Sequence, residues 1–426
     1  MAAASALVYR TGMNLPDRYV VCCSRLVTCD DVRETERNPL GVIEDAGLFV
    51  DRSTLQAIGP RKHVIEMAEG APVVLDWPGV ITPGLVDAHT HAVWAGSRHD
   101  EYALRMSGAG YEQIAAAGGG IAATMNAVRA ATAGQLASST WARLRRMAAL
   151  GTTTCEVKSG YGLDLANEIK QLRVIEQLAS DVRLPRVIPT YLALHAIPPE
   201  GKAHRDEWVD RVAREWVPEI AKLGLARYVD AYIDRNAFTM EEARRVFDKA
   251  YELKLGVRAH VGQFADVGGA DLAADGGAAS IDHVEHVSHD SLLKLAASKT
   301  RVVLLPVASY TLKQTPPPVQ AIREAGVPMV IATDSNPGTA PTESLPLAMA
   351  MGVRDYGLTP EEVLIASTRE AAASLGLHEV CGRLAPGFDA DFVAWSVPHE
   401  RVLVQPWGSQ LTRLVVSRGR ALHSWE

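Results

Sequence analysis

The chain of 426 residues contains only five cysteines, Cys22, Cys23, Cys29, Cys155 and Cys381, and no CxxC pair. An odd number without paired spacing excludes a disulfide framework and fits a reducing, cytoplasmic setting. No stretch approaches the roughly 18 consecutive apolar residues of a membrane helix. Polar and charged groups interrupt the first 20 residues, which argues against a secretory signal. Residues 1–17 match no motif. There is no block of Lys and Arg, and the formal net charge is −7. Both argue against a nucleic-acid or anionic-membrane partner. Internal repeats and low-complexity segments are absent. With 34 glycines and 23 prolines, usage is close to average, which argues against long disorder. A 47% apolar content supports a sizeable core, and the length allows about three domains, or one large barrel plus something small.

Both ends read as β material. Arg18–Cys23, Gly47–Val50 and Val73–Trp77 are extended candidates, as are Asp391–Trp395, Arg413–Ser417 and Ala421–Ser424. Gly59-Pro60, Pro78-Gly79, Pro386-Gly387 and Pro406 punctuate them. The middle alternates. Apolar β-type runs at Val80–Val86, Thr152–Val157, Arg186–Leu194, Arg227–Ile233, Gly256–Ala259, Ala279–Val284, Arg301–Val307 and Pro328–Thr333 are separated by helical stretches. In residues 164–179, Leu165, Ile169, Leu172, Ile175 and Leu178 recur every three or four positions and share one helix face. Residues 240–254, 289–298, 316–325 and 342–353 also read as helices. Eight such units suggest a (β/α)8 TIM barrel, although strand count alone fits a doubly wound sheet equally well. The expected division is a barrel at residues 80–375, with 1–79 and 376–426 forming a small β-sandwich-like domain. About 65 residues separate the first two barrel strands. They include Gly118-Gly119-Gly120, and so long a loop on the catalytic face could act as a lid.

There are 13 histidines. His89 and His91 follow the first barrel strand in Gly84-Leu-Val-Asp-Ala-His-Thr-His91. Residues two apart on an extended segment point the same way, so both imidazoles can reach one ion. An isolated HxH is weak evidence. His260 ends the fifth strand, His283 the sixth, and Asp334 the eighth, which is where barrel enzymes keep their chemistry. Each alone is more simply a polar strand end; the four sites together are harder to dismiss. His286 and His289 read as bystanders, and His63, His204, His378, His399 and His423 as surface or packing residues.

HxH after strand one, His after five and six, and Asp after eight resemble the amidohydrolase superfamily. Gly382-Arg-Leu-Ala-Pro-Gly-Phe-Asp-Ala-Asp391 resembles its return into the β-domain. More specifically, Ala92-Val-Trp-Ala-Gly-Ser-Arg98, Ala117-Gly-Gly-Gly-Ile121, Glu156-Val-Lys-Ser-Gly-Tyr-Gly-Leu163, Leu194-His-Ala-Ile-Pro-Pro199 and Thr333-Asp-Ser-Asn-Pro-Gly338 resemble the imidazolonepropionase family. The resemblance spans about residues 80–395, and the set is specific where no single piece is.

The resemblance implies a mononuclear site of His89, His91, His260 and Asp334. Binuclear relatives carry a bridging lysine after strand four, whereas here that strand ends Ala231-Tyr-Ile-Asp-Arg235. Lys158 follows strand two and reads as a structural ion pair, with Glu156 or a loop acid. Zinc is the expected metal, and iron fits the same ligand set. Many mononuclear relatives carry Glu three residues after the strand-five histidine. Gln263 stands there instead and cannot shuttle a proton near neutral pH. Proton transfer then falls to Asp334, with His283 orienting the attacking water and Gln263 positioning the ring amide. The implied substrate, 4-imidazolone-5-propanoate, is a small ring with a carboxylate tail. Arg98 would bind the tail, and Tyr111, Tyr161, His195 and Asn336 would contact tail or ring. The implied reaction is hydrolysis of the ring C–N bond to N-formimidoyl-L-glutamate, in histidine degradation. Another small cyclic amide with an acidic tail is the competing substrate, and an inactive barrel serving as a binding protein is the competing class. The resemblance also admits a homodimer.

Overall fold

The computed structural model describes residues 15–108 and 119–425. In chain order, β1 is Arg18–Leu26, β2 Ile43–Asp51, β3 Thr54–Pro60 and β4 Val73–Pro83. Eight short strands follow: β5 Leu85–Asp87, β6 Thr152–Lys158, β7 Arg186–Leu194, β8 Tyr228–Ile233, β9 Gly256–Val261, β10 Ser280–His283, β11 Arg301–Leu304 and β12 Met329–Ile331. The chain ends with β13 Phe392–Trp395, β14 Thr412–Ser417 and β15 Arg420–Ser424. β5 to β12 pair in sequence order as one parallel sheet, the (β/α)8 barrel. The terminal strands form a separate mixed sheet in the order β15-β14-β13-β4-β1-β2-β3. Among the described residues, no helix is long and apolar enough to cross a membrane. All five cysteines are buried and free.

Two expected strands differ from the structure. Val80–Val86 is two strands: Val80–Pro83 pairs with β13 in the terminal sheet, and only Leu85–Asp87 enters the barrel. Gly84 is the hand-over point, where a Cβ would come within 2.1 Å of Thr153 Oγ1. The run at 301–307 ends at Leu304, because Pro306 opens a helix, Pro306–Leu312. β3 carries no clean alternation, and neither it nor the helix Ala133–Ala149 is among the expected elements.

The helix Leu165–Ala179 shows how the outer layer is held. Asp164 caps it by accepting from the Asn167 N–H. Leu172, Ile175 and Leu178 are buried, and Leu165 and Ile169 pack half-buried against the same core. Each fully buried Leu or Ile contributes roughly 1.5–3 kcal/mol.

The seam between strands one and eight closes at its C-terminal end. Asp87 accepts from the Thr333 N–H at 3.1 Å and from its hydroxyl at 2.6 Å. Thr90 bridges Ser335 in parallel, and the Asp334 N–H donates to the His89 carbonyl at 3.1 Å. The contacts that close the barrel thus fix the HxH segment against Asp334.

Candidate metal centre and active site

Period-two alternation sends one set of polar side chains into the barrel. Glu156 and Lys158 come from β6, Asp230 from β8, Arg258 and His260 from β9, and Asp282 from β10, and all are buried. Charge in such a place must be paired. Lys158 Nζ lies 2.8 Å from Asp230 Oδ2, 2.9 Å from Glu156 Oε1 and 3.7 Å from Asp282 Oδ2. The expected Lys158–Glu156 pair is present, within a larger network. Arg258 Nη2 donates to the Ala88 carbonyl at 2.8 Å and lies 3.7 Å from Asp282 Oδ1.

The histidines stand on this network. His89 Nδ1 lies 2.7 Å from Asp282 Oδ2, and His260 Nδ1 lies 3.1 Å from Asp230 Oδ1. A carboxylate at Nδ1 claims that N–H and leaves Nε2 as a lone pair. His89 Nε2 is 3.3 Å from His91 Nε2 and 3.4 Å from Asp334 Oδ1, and His91 Nε2 is 3.3 Å from the same oxygen. Donor atoms of His89, His91 and His260 all lie within 4.8 Å of one another. Nitrogen or oxygen ligands about 2.1 Å from a tetrahedral zinc are roughly 3.4 Å apart. His89, His91 and Asp334 therefore stand at metal-ligand spacing, and His260 Nε2 is a buried lone pair without a hydrogen-bond partner.

The electrostatics point the same way. Burial and Lys158 oppose a charged His89, yet Asp282 and Asp334 hold its pKa up at about 9. Burial pushes His91 down to about 4. Against burial, His89 and His91 hold the Asp334 carboxyl well below its usual range. The cluster favours positive charge at its centre. A second group, Asp230, His260 and Asp282, also has donor atoms within 4.8 Å of one another, but there Lys158 already supplies a cation.

His283 joins the cluster through backbone strain. Alternation would turn it away from its neighbour Asp282. Left-handed backbone at His283 (φ 84°) and Val284 (φ 63°) breaks the alternation. Its ring centroid lies 5.6 Å from that of His260 and 6.1 Å from that of His89. Burial pushes its pKa down to about 3, so the ring is neutral. Asp334 is likewise left-handed, at φ 54°.

The amidohydrolase family model matches residues 80–420. Imidazolonepropionase from Shewanella loihica is 40% identical over 387 residues, covering 90% of this chain and 95% of that protein. Imidazolonepropionase from Pseudomonas putida is 42% identical over 386 residues, covering 89% and 94%. The chain belongs to the imidazolonepropionase family of amidohydrolases. Among solved structures, a triazine hydrolase variant superposes with a TM-score of 0.74 at 16% identity, covering 96% of this chain and 95% of its own. An adenosine deaminase from Xanthomonas campestris with bound zinc gives 0.69 at 17% identity, covering 95% and 92%. At that identity the likeness concerns the fold.

The remaining candidates of this imidazolonepropionase-family chain fall into three groups. Tyr161 and His195 lie beside the histidine cluster. Their ring centroids are 5.2 Å apart, and each lies within 6 Å of His91. The Tyr161 loop is held by Glu168, which accepts from the N–H groups of Gly160, Gly162 and Leu163 at 2.7–2.8 Å. His195 Nδ1 lies 2.7 Å from the Gly160 carbonyl, and burial with His91 nearby lowers its pKa to about 3. It is a neutral ring with Nε2 as its remaining acceptor.

Arg98 is bound to Glu101 by two hydrogen bonds, at 2.7 and 2.5 Å, and Arg105 reaches the same carboxylate at 2.7 Å. Two guanidinium groups on one carboxylate leave a net positive charge. Gly338 makes room for Arg98, since a Cβ there would lie 2.2 Å from its Nη1. A cavity of about 530 Å³ borders Glu101, His195 and Tyr232, a size suited to a small acid.

Of the two side-chain amides, Gln263 is held through its oxygen and Asn336 is committed within its own loop. Tyr232 donates its hydroxyl to Gln263 Oε1 at 2.7 Å, so that amide offers chiefly its N–H donors. Asn336 Oδ1 accepts from the N–H groups of Gly338 and Thr339 at 2.8 Å, while its Nδ2 donates to the Asp334 carbonyl at 2.6 Å. Its amide shapes the loop beyond Asp334 rather than being left to read a ring. Tyr111 and Gly118 lie outside the described residues. Asp230, Asp282, Glu168 and Glu101 were not singled out from sequence. Their signal was present: a charged residue inside an apolar β run, or opposite a motif loop.

Proposed function

We propose that this chain hydrolyses the ring C–N bond of 4-imidazolone-5-propanoate to N-formimidoyl-L-glutamate, in histidine degradation. One observation carries the reading. The histidine and aspartate donor atoms stand at metal-ligand spacing in a chain about 40% identical to imidazolonepropionases over nine-tenths of its length.

His89, His91, His260 and Asp334 are the residues that would hold one divalent metal. Their nitrogen-rich set suits zinc first and iron second. The ammonium of Lys158 between Asp230 and Asp282 supports a single ion. A metal held there lowers the pKa of water and polarises a carbonyl. The chain's own groups do the rest. Asp334, whose Oδ1 lies against the histidines, leaves Oδ2 to accept the water's proton. Neutral His283 orients that water. Oxygen adds to the ring carbonyl carbon, the C–N bond breaks, and the departing nitrogen takes the proton. The Arg98–Glu101–Arg105 cluster attracts the carboxylate tail through its surplus charge. Gln263 positions the ring amide as a donor, and Tyr161 and His195 line the site. The five unpaired cysteines support a cytoplasmic setting.

The test is isotopic. Turnover in ¹⁸O-labelled water, followed by mass spectrometry, is expected to give N-formimidoylglutamate with one label in the new carboxylate. Metal-loaded protein that leaves the substrate intact, or gives another product, overturns the reading.

A further inference from the structure

A buried hydrogen-bond chain runs behind His283. Ser309 Oγ, on the helix Pro306–Leu312, donates to Glu285 Oε1 at 2.5 Å. Tyr356, at the end of the helix Leu345–Tyr356, has its hydroxyl 2.6 Å from Ser309 Oγ. The single serine proton goes to Glu285, so the tyrosine is the donor in that pair. Both hydroxyls therefore point their protons toward Glu285, and all three residues are buried.

The other carboxylate oxygen, Oε2, has no hydrogen-bond partner, and neither has His283 Nδ1. The two atoms are 4.0 Å apart. Buried polar atoms are costly to leave unpaired. An approach of roughly 1 Å would turn this pair into an N–H···O hydrogen bond. Two of the three candidate ligand histidines show the same arrangement: His89 and His260 each meet a buried carboxylate at Nδ1. His283 meets Glu285, anchored through Ser309 and Tyr356 to two outer helices.

We infer that Glu285 is a positioning residue whose Oε2 accepts from His283 Nδ1–H and fixes the tautomer with the Nε2 lone pair toward the reacting water. The inference rests on the role given to His283 in the proposed reaction. Without Glu285, no other described residue pairs with Nδ1, and an Nε2–H ring would offer the water a donor instead of an acceptor.

The test uses zinc-restored full-length enzyme and ¹⁵N imidazole spectra, with the His283 signal assigned by its loss in H283N. Wild type is expected to show the Nδ1–H tautomer. Glu285→Leu is expected to lose it, to bind zinc normally, and to drop in kcat by roughly 10–100-fold with KM changed less than about twofold. Glu285→Gln keeps an acceptor and is expected to retain more activity than the leucine variant. Ser309→Ala and Tyr356→Phe, which leave the carboxylate in place, are expected to lower kcat by a few-fold. They carry the test if the leucine variant does not fold, and unchanged kcat in both then overturns the inference. An Nε2–H tautomer in active wild type, or full kcat in folded Glu285→Leu, overturns it while leaving the proposed reaction standing. Absence of wild-type turnover overturns the reaction and this inference together.

Discussion

Nδ1 of His89 lies 2.7 Å from Oδ2 of Asp282, with both side chains fully buried. The aspartate adjoins His283 in sequence yet serves the histidine that follows the first barrel strand. By claiming the Nδ1 proton it aims the Nε2 lone pair at the proposed metal position. Asp282→Asn is therefore expected to weaken metal binding by roughly 10–100-fold, read by competition with a chelator. Wild-type affinity in a folded D282N protein would show that the contact orients nothing.

The same cluster makes metal uptake sensitive to pH. Asp282 and Asp334 hold His89 at about 9 against burial, so near neutral pH a proton competes for the ligand. Affinity is expected to rise with pH up to about 9, with release of a proton measurable by an indicator dye at pH 7–8. A flat profile and no proton release would contradict this.

Lys158 carries the opposite charge beneath the site. Its Nζ lies within 3 Å of both Glu156 and Asp230, and removing one partner strands buried carboxylates. Lys158→Met is expected to lose about 3–5 kcal/mol in urea unfolding of the metal-free protein. A loss below about 1 kcal/mol would mean the network relaxes without its cation.

Arg98 tests the substrate side. If the surplus charge around Glu101 holds the tail, Arg98→Met is expected to raise KM by roughly 10–100-fold while kcat falls much less. An equal fall in kcat with unchanged KM would assign Arg98 to the chemical step.

Much of this was legible because strand ends in a barrel are chemically exposed in sequence. His89, His91, His260, His283 and Asp334 each follow an apolar run, and the structure gathers them. The supporting carboxylates were harder to see. Asp230 and Asp282 lie inside strands, where a lone charge reads as a defect until the residue it pairs with is known. His283 shows the limit of periodicity, since its direction depends on a positive φ that no residue pattern announces. Asn336 matched a motif, yet its amide is spent inside its own loop. The first barrel strand was misplaced because Val73–Pro83 and Leu85–Asp87 are separated only by Gly84, so one apolar run serves two sheets.

The most direct test of the central claim is the loss of near-ultraviolet absorbance of freshly generated 4-imidazolone-5-propanoate. Chelator-stripped protein would be compared with the same protein restored with zinc or iron. Turnover absent after stripping and regained with metal is the expected result. Equal turnover in stripped and restored protein, or none with the metal bound, would contradict the account.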